Sequence, residues 1–171
     1  MSIADKYLSF SGRLRRRDWW LLSIAMIVVS LIIGQLAVYA LVGPDYTMIG
    51  QASQVDKTTN TTALGIQIIM TLLFLWPSLA LTAKRTHDRD QGATVNIVLS
   101  LISTGLSLVY SGMIMTGALN PAEPTPIMLL FGIGPLLIGL YLLIVLGFLD
   151  GTPDENRFGP SPKEDPIEPA A

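Results

Sequence analysis

The chain contains no cysteine, which excludes disulfides, thiolate metal sites and cysteine nucleophiles. It has one histidine, His87, too few for a zinc centre or a His-Asp phosphohydrolase, each of which needs several imidazoles. Only 14% of its 171 residues are charged while 50% are hydrophobic, a balance wrong for a soluble domain of this size. More informative is where charge is missing. No Asp, Glu, Arg or His occurs in the runs Trp19 to Val42, Leu64 to Ala83, Val95 to Met115 and Ile127 to Leu149, whose only side-chain amides are Gln35, Gln67 and Asn96.

Each run has about the 20 residues needed to cross a hydrocarbon core of roughly 30 Å. The pattern predicts an all-α membrane protein, a four-transmembrane-helix antiparallel bundle occupying residues 1–162 as one domain. Residues 163–171, rich in Pro, Glu and Ala, read as a disordered acidic tail. The first run exceeds a signal-peptide core of about 7 to 15 residues, so it reads as an uncleaved anchor.

Charge outside the runs is sorted by side. Lys6, Arg13, Arg15, Arg16 and Arg17 precede the first run, Lys84, Arg85 and Arg89 follow the second, and Arg157 and Lys163 follow the fourth. The first intervening loop has Lys57 alone and the third has none. Because Lys and Arg accumulate on the cytoplasmic side, both termini and the Lys84 to Thr94 loop are expected in the cytoplasm of a bacterial inner membrane. Asp56 and Glu123 are expected outside.

Ile3, Tyr7, Phe10 and Leu14 recur at helical spacing and suggest an interfacial helix before the first span, with Ser11 and Gly12 as points of interruption. Arg15, Arg16 and Arg17 then meet Trp19 and Trp20, the residue types that anchor a span at the headgroup level. These five are candidate lipid headgroup contacts, and the lipid bilayer, in particular anionic phospholipid, is the expected partner. Nucleic acid is not expected, since the basic patch is short and the tail acidic. Within the spans, Pro77 should kink the second helix and Pro135 bend the fourth. Ser103, Ser107 and Ser111 mark a face suited to close helix packing.

Three polar segments remain. Phe10-Ser11-Gly12-Arg13 with Arg16 and Trp19-Trp20 opens the chain, Lys84-Arg85-Thr86-His87-Asp88 follows the second span, and Asn156-Arg157-Phe158-Gly159-Pro160 follows the fourth. Their order and topological positions resemble the signatures of the domain-of-unknown-function 805 family, small bacterial inner-membrane proteins, over about Tyr7 to Pro162. Thr86 stands where that family usually has Leu, and the aromatics that tend to follow are absent from Asp90 to Val95. The resemblance implies the fold and location above and no reaction.

A four-span bundle brings all three segments to one membrane face. Arg13, Asp18, Arg85, His87, Asp88, Asn156, Arg157 and Phe158 are therefore expected to form one polar cluster. Asp88 and Asp18 should pair with Arg13, Arg85 or Arg157, since unpaired buried cations are costly, and Phe158 should cover them. No cofactor or metal is expected, and no residue set defines a reaction. The reading is a non-enzymatic structural or regulatory membrane component, with a homo-oligomer or membrane-protein partner as further candidates. The alternative, a small oligomeric transporter or channel, is weakened by the lack of intramembrane ionisable groups.

Overall fold

The structure, a computed structural model, describes residues 2–43, 57–120 and 125–162, with the backbone alone for 57–60. Asp56, Glu123 and the tail 163–171 lie outside the described residues. The fold is all-α: α1 (Ile3–Leu8), α2 (Arg16–Leu41), α3 (Lys57–His87), α4 (Thr94–Thr116) and α5 (Pro126–Leu142), the last continuing as a π-helical segment, Leu143–Phe148. Four helical stretches are long and apolar enough to cross a membrane: Arg16–Leu41, Thr61–His87, Thr94–Thr116 and Pro126–Phe148. Apolar side chains such as Leu36, Leu73, Leu101 and Leu136 lie exposed along them, as helices facing lipid require. The chain is a membrane protein with four such helices.

The helices contribute to two compact units, one comprising Met1–Ile24, Trp76–Leu101 and Ile138–Ala171, the other Ala25–Leu75 and Ile102–Leu137. In the second unit Val38, Ala63 and Ile66 are buried, and Tyr110 and Phe131 stack with centroids 6.0 Å apart. The serine face expected on α4 is not a buried seam. Ser107 is exposed, and the Ser107 and Ser111 hydroxyls donate to the carbonyls of Ser103 and Ser107, 3.0 Å away in each case. A hydroxyl that satisfies itself on its own helix needs no neighbour. Pro77 and Pro135 sit inside unbroken stretches of α3 and α5.

The first unit is organised by the end of α3, where Leu79 to Thr86 is buried without interruption. The amino-terminal stripe expected as one helix ends early. α1 has six residues and is capped by a Ser2–Asp5 capping box, whose hydrogen bonds also hold the exposed Asp5 carboxyl below its ordinary range. Ser9 is already extended, and Gly12 takes φ +91, a left-handed conformation that glycine adopts without steric cost. Phe10 leaves the helix to meet Trp76 edge-on at 5.0 Å. Leu14 is buried, its amide donating to the Lys84 carbonyl at 3.2 Å.

A helix this short is unstable alone, and its carboxyl end is held from outside. The Lys84 ammonium donates to the Asp5 and Lys6 carbonyls, and Trp76 Nε1 to the Leu8 carbonyl at 3.0 Å. The Tyr7 hydroxyl donates to the Leu22 carbonyl at 2.9 Å, and burial pushes the phenol's pKa up.

Candidate functional site: a polar cluster at the ends of the spans

Five consecutive residues at the end of α3 serve five different partners. Lys84 caps α1. Arg85 is fully buried: its Nε donates to the Leu146 carbonyl at 2.7 Å, one terminal nitrogen reaches the Leu149 carbonyl, and the other pairs with Asp88. The Thr86 hydroxyl donates to the Thr82 carbonyl at 2.8 Å and accepts from Asn96 Nδ2 at 2.9 Å, tying α3 to the first turn of α4. His87 stacks on Phe158 with centroids 3.9 Å apart and planes 9° from parallel, its Nδ1 3.3 Å from the Gly12 carbonyl oxygen. Asp88 receives Arg13 on Oδ1, from Nε at 3.3 Å and Nη2 at 3.2 Å, and Arg85 on Oδ2.

Arg13 links the three sequence signatures. Besides Asp88, its Nη1 donates to the carbonyls of Asp154 at 2.7 Å and Gly159 at 3.2 Å, and its Nη2 to the Thr152 carbonyl at 2.7 Å. The segment after the fourth span is shaped to present those carbonyls. Asn156 Oδ1 accepts from the Phe158 amide at 2.9 Å, a local Asx-type turn, while Asn156 Nδ2 reaches the His87 carbonyl at 3.0 Å and Thr152 Oγ1 at 2.9 Å. Gly159, at φ +124, closes the turn with paired hydrogen bonds to Asn156. The order Asn-Arg-Phe-Gly is therefore a turn followed by its closing glycine.

The π-helical segment gives the cluster its fourth wall. A helix end leaves its last carbonyls without intrahelical donors. Here four successive ones are taken by side chains: Leu146 and Leu149 by Arg85, Gly147 by Trp20 Nε1 at 3.0 Å, and Phe148 by Arg16 Nη1 at 3.1 Å. Arg16 also pairs with Asp150 at 3.0 Å.

Of the residues the sequence singled out, Arg13, Arg85, His87, Asp88, Asn156 and Phe158 meet in this network. Asp18 does not join it by a bond, because its carboxylate lies 3.7 Å from Arg15 and 3.9 Å from Arg17, on its own helix turn. Arg157 pairs with Asp90 rather than Asp88, at 3.2 Å, with its guanidinium 4.9 Å from the Phe158 ring centroid. Among the candidate headgroup contacts, Arg16 and Trp20 are turned to the π-helical carbonyls, and Trp19 packs edge-on against Trp20 at 5.3 Å. Arg17 is the outward cation, with its side chain 80% exposed. Sequence reading missed Thr152, Asn96 and Gly151. Asn96 carried the best signal, as a lone amide at a span end.

Among the described residues no three His, Asp or Glu come together as metal ligands would. Residues 7–160 match the family model described as Protein of unknown function (DUF805). The chain is similar to the inner membrane protein YhaH of Escherichia coli K12, at 28% identity over 97% of each chain. It is also similar to the uncharacterized protein YiiR of the same strain, at 29% identity over 93% of this chain and 89% of that one. No solved structure matches it. With the family model covering nearly its whole length and four membrane-length helices in its fold, the chain belongs to the DUF805 family.

Proposed function

We propose that the protein is a non-enzymatic structural or regulatory component of a bacterial inner membrane, with both termini and the polar cluster on the cytoplasmic face. The observation that carries this reading is the use of Lys84 to Asp88: each side chain is spent on holding another segment of the chain. A catalytic or transport site needs polar groups left free for substrate, and this one uses them as internal fasteners. What the clamp presents outward is the Arg157, Phe158 and Asp90 surface, where a membrane-protein partner or a second copy would dock. The cytoplasmic orientation rests on the Lys and Arg distribution, and the inner-membrane location is supported by a relative that bears the name inner membrane protein.

Single cysteines introduced into this cysteine-free chain test the orientation. An impermeant thiol reagent applied to intact cells should label Asp56→Cys and Glu123→Cys and leave Asp90→Cys unlabelled until permeabilisation. Labelling of Asp90→Cys in intact cells overturns it. In-cell crosslinking from Arg157 and Asp90 positions tests the docking role, and crosslinks confined to lipid would remove it.

A further inference from the structure

The first unit is not charge-balanced at its core. Arg13, Lys84 and Arg85 are each at most 5% exposed, against one buried carboxylate among the described residues, Asp88. Two guanidiniums share that carboxylate, and Lys84 has only backbone carbonyls as hydrogen-bond acceptors. Carbonyl dipoles solvate a cation without neutralising it, so a net positive charge stands in a medium of low dielectric, where its field is strong.

That field opens into a cleft of about 360 Å³ walled by Lys6, Gly12, Arg13, Asp18, Phe158 and Ser161. Lys6 is the cation left over. Its ammonium has no hydrogen-bond or ion-pair partner among the described residues; Lys84 is drawn toward the exposed Asp5 carboxylate and, more weakly, repelled by Lys6. Asp18, the carboxylate on the wall, lies between Arg15 and Arg17, so its charge is outweighed locally. The cleft reaches the first turn of α2 through Asp18, the residue before Trp19 and Trp20 in the sequence, and Trp at a span end marks the headgroup level.

We propose that this cleft binds a phosphate group, with Lys6 as its direct cation and the buried excess charge as its background field. The inference goes beyond the clamp reading, which concerns bonds inside the chain. Phosphate could arrive on an anionic phospholipid or on a soluble phosphate ester, and the test separates the two.

Delipidated full-length protein in neutral detergent is titrated with phosphatidylglycerol, with diacylglycerol, and with soluble glycerol phosphate, reading the melting temperature. Phosphatidylglycerol should raise it saturably while diacylglycerol does not. Lys6→Gln should weaken the response about fivefold, the effect of one cation near an anion at the membrane surface, and Lys6→Arg should restore it. Because the Lys6 ammonium has no hydrogen-bond or ion-pair partner among the described residues, the unliganded melting temperature of Lys6→Gln should match that of the parent. A Lys6-dependent shift with glycerol phosphate alone assigns the site to a soluble ester and equally supports the phosphate site. Absence of any shift, equal shifts in parent and Lys6→Gln, or an equal loss in Arg17→Gln, which would reduce the effect to general surface attraction, each overturn the proposal.

Discussion

Asp88 holds Arg13 with one carboxylate oxygen and Arg85 with the other, with its own side chain only 5% exposed. One anion thereby joins the segment before α2 to the end of α3, and through Arg85 to the end of the fourth span. Removing one partner of a buried pair leaves uncompensated charge and costs about 3 to 5 kcal/mol. Asp88→Asn should therefore lower stability by roughly 3 kcal/mol or more, measured as thermal unfolding in detergent. A double-mutant cycle should find coupling between Asp88 and Arg13. Between Asp88 and Arg157 it should find none, because Arg157 pairs with Asp90 and its side chain is 61% exposed. Coupling of Asp88 to Arg157 as strong as to Arg13 would contradict this geometry.

Thr86 and Asn96 form a buried polar pair in a place where apolar packing would also serve. With Thr86→Leu, the Asn96 amide is stranded, and an unsatisfied buried polar group costs about 1 to 3 kcal/mol. Asn96→Leu strands less, since the Thr86 hydroxyl keeps its bond to the Thr82 carbonyl. The double replacement removes both polar groups and should recover most of the loss, so the cycle should give a favourable coupling of about 1 kcal/mol or more. Strictly additive losses in chemical denaturation would show that the pair does not act as a unit.

Asp5 gives a pH signature to α1. Ser2 holds the Asp5 carboxyl below its ordinary value of about 4, first through its hydroxyl and then through its amide. A lowered folded pKa contributes stability that is present above the unfolded value and lost as pH falls through the folded one. The capping box should thus be intact at neutral pH and weaken only in strongly acidic solution. Ser2→Ala should raise the Asp5 pKa toward the ordinary value, read by NMR titration of its carboxyl carbon. An unchanged pKa would remove the capping box as its cause.

Four spans were legible because a long uncharged apolar run has few other uses in a folded chain, and the helices follow those runs closely. Arg13, Arg85, Asp88 and Asn156 were legible as one cluster because topology brings their segments to the same end. Which acid meets which base was not. Asp18 is met first by its sequence neighbours Arg15 and Arg17, a local competition that the search for one cluster overlooked, whereas Arg157 is met by Asp90, a proximity in three dimensions that has no linear signal. The early end of α1 was only half legible: Ser11 and Gly12 hinted at a break, while the pull of Trp76 on Phe10 and of Lys84 on the Leu14 amide lies in the tertiary contacts. The π-helical end of the fourth span had no sequence signal, since its carbonyls are recruited by residues on α2 and α3.

Gly151 gives a steric test of the whole cluster. A Cβ there would overlap the Asp88 carboxylate, approaching its carbon to 2.6 Å and the Asp88 carbonyl oxygen to 2.8 Å. Asp88 cannot swing aside without releasing Arg13 and Arg85. The backbone around Gly151 must move instead, which breaks the bond from the Thr152 amide to the Asp88 carbonyl, now 2.8 Å. Gly151→Ala should therefore destabilise by about 1 to 3 kcal/mol, the usual cost of overpacking. Gly147→Ala meets the Trp20 ring at 2.9 Å. Trp20 is only half-buried, and moving its ring costs the single hydrogen bond to the Gly147 carbonyl rather than a doubly paired buried carboxylate, so the loss should be smaller. Gly139, inside α5 with nothing within 4 Å of such a Cβ, supplies the control. There alanine should be neutral or stabilising by up to about 1 kcal/mol through helix propensity. Melting temperatures of the three variants in one detergent should fall in that order, and a Gly151→Ala protein as stable as the parent would mean that Asp88 is not fixed where these contacts hold it.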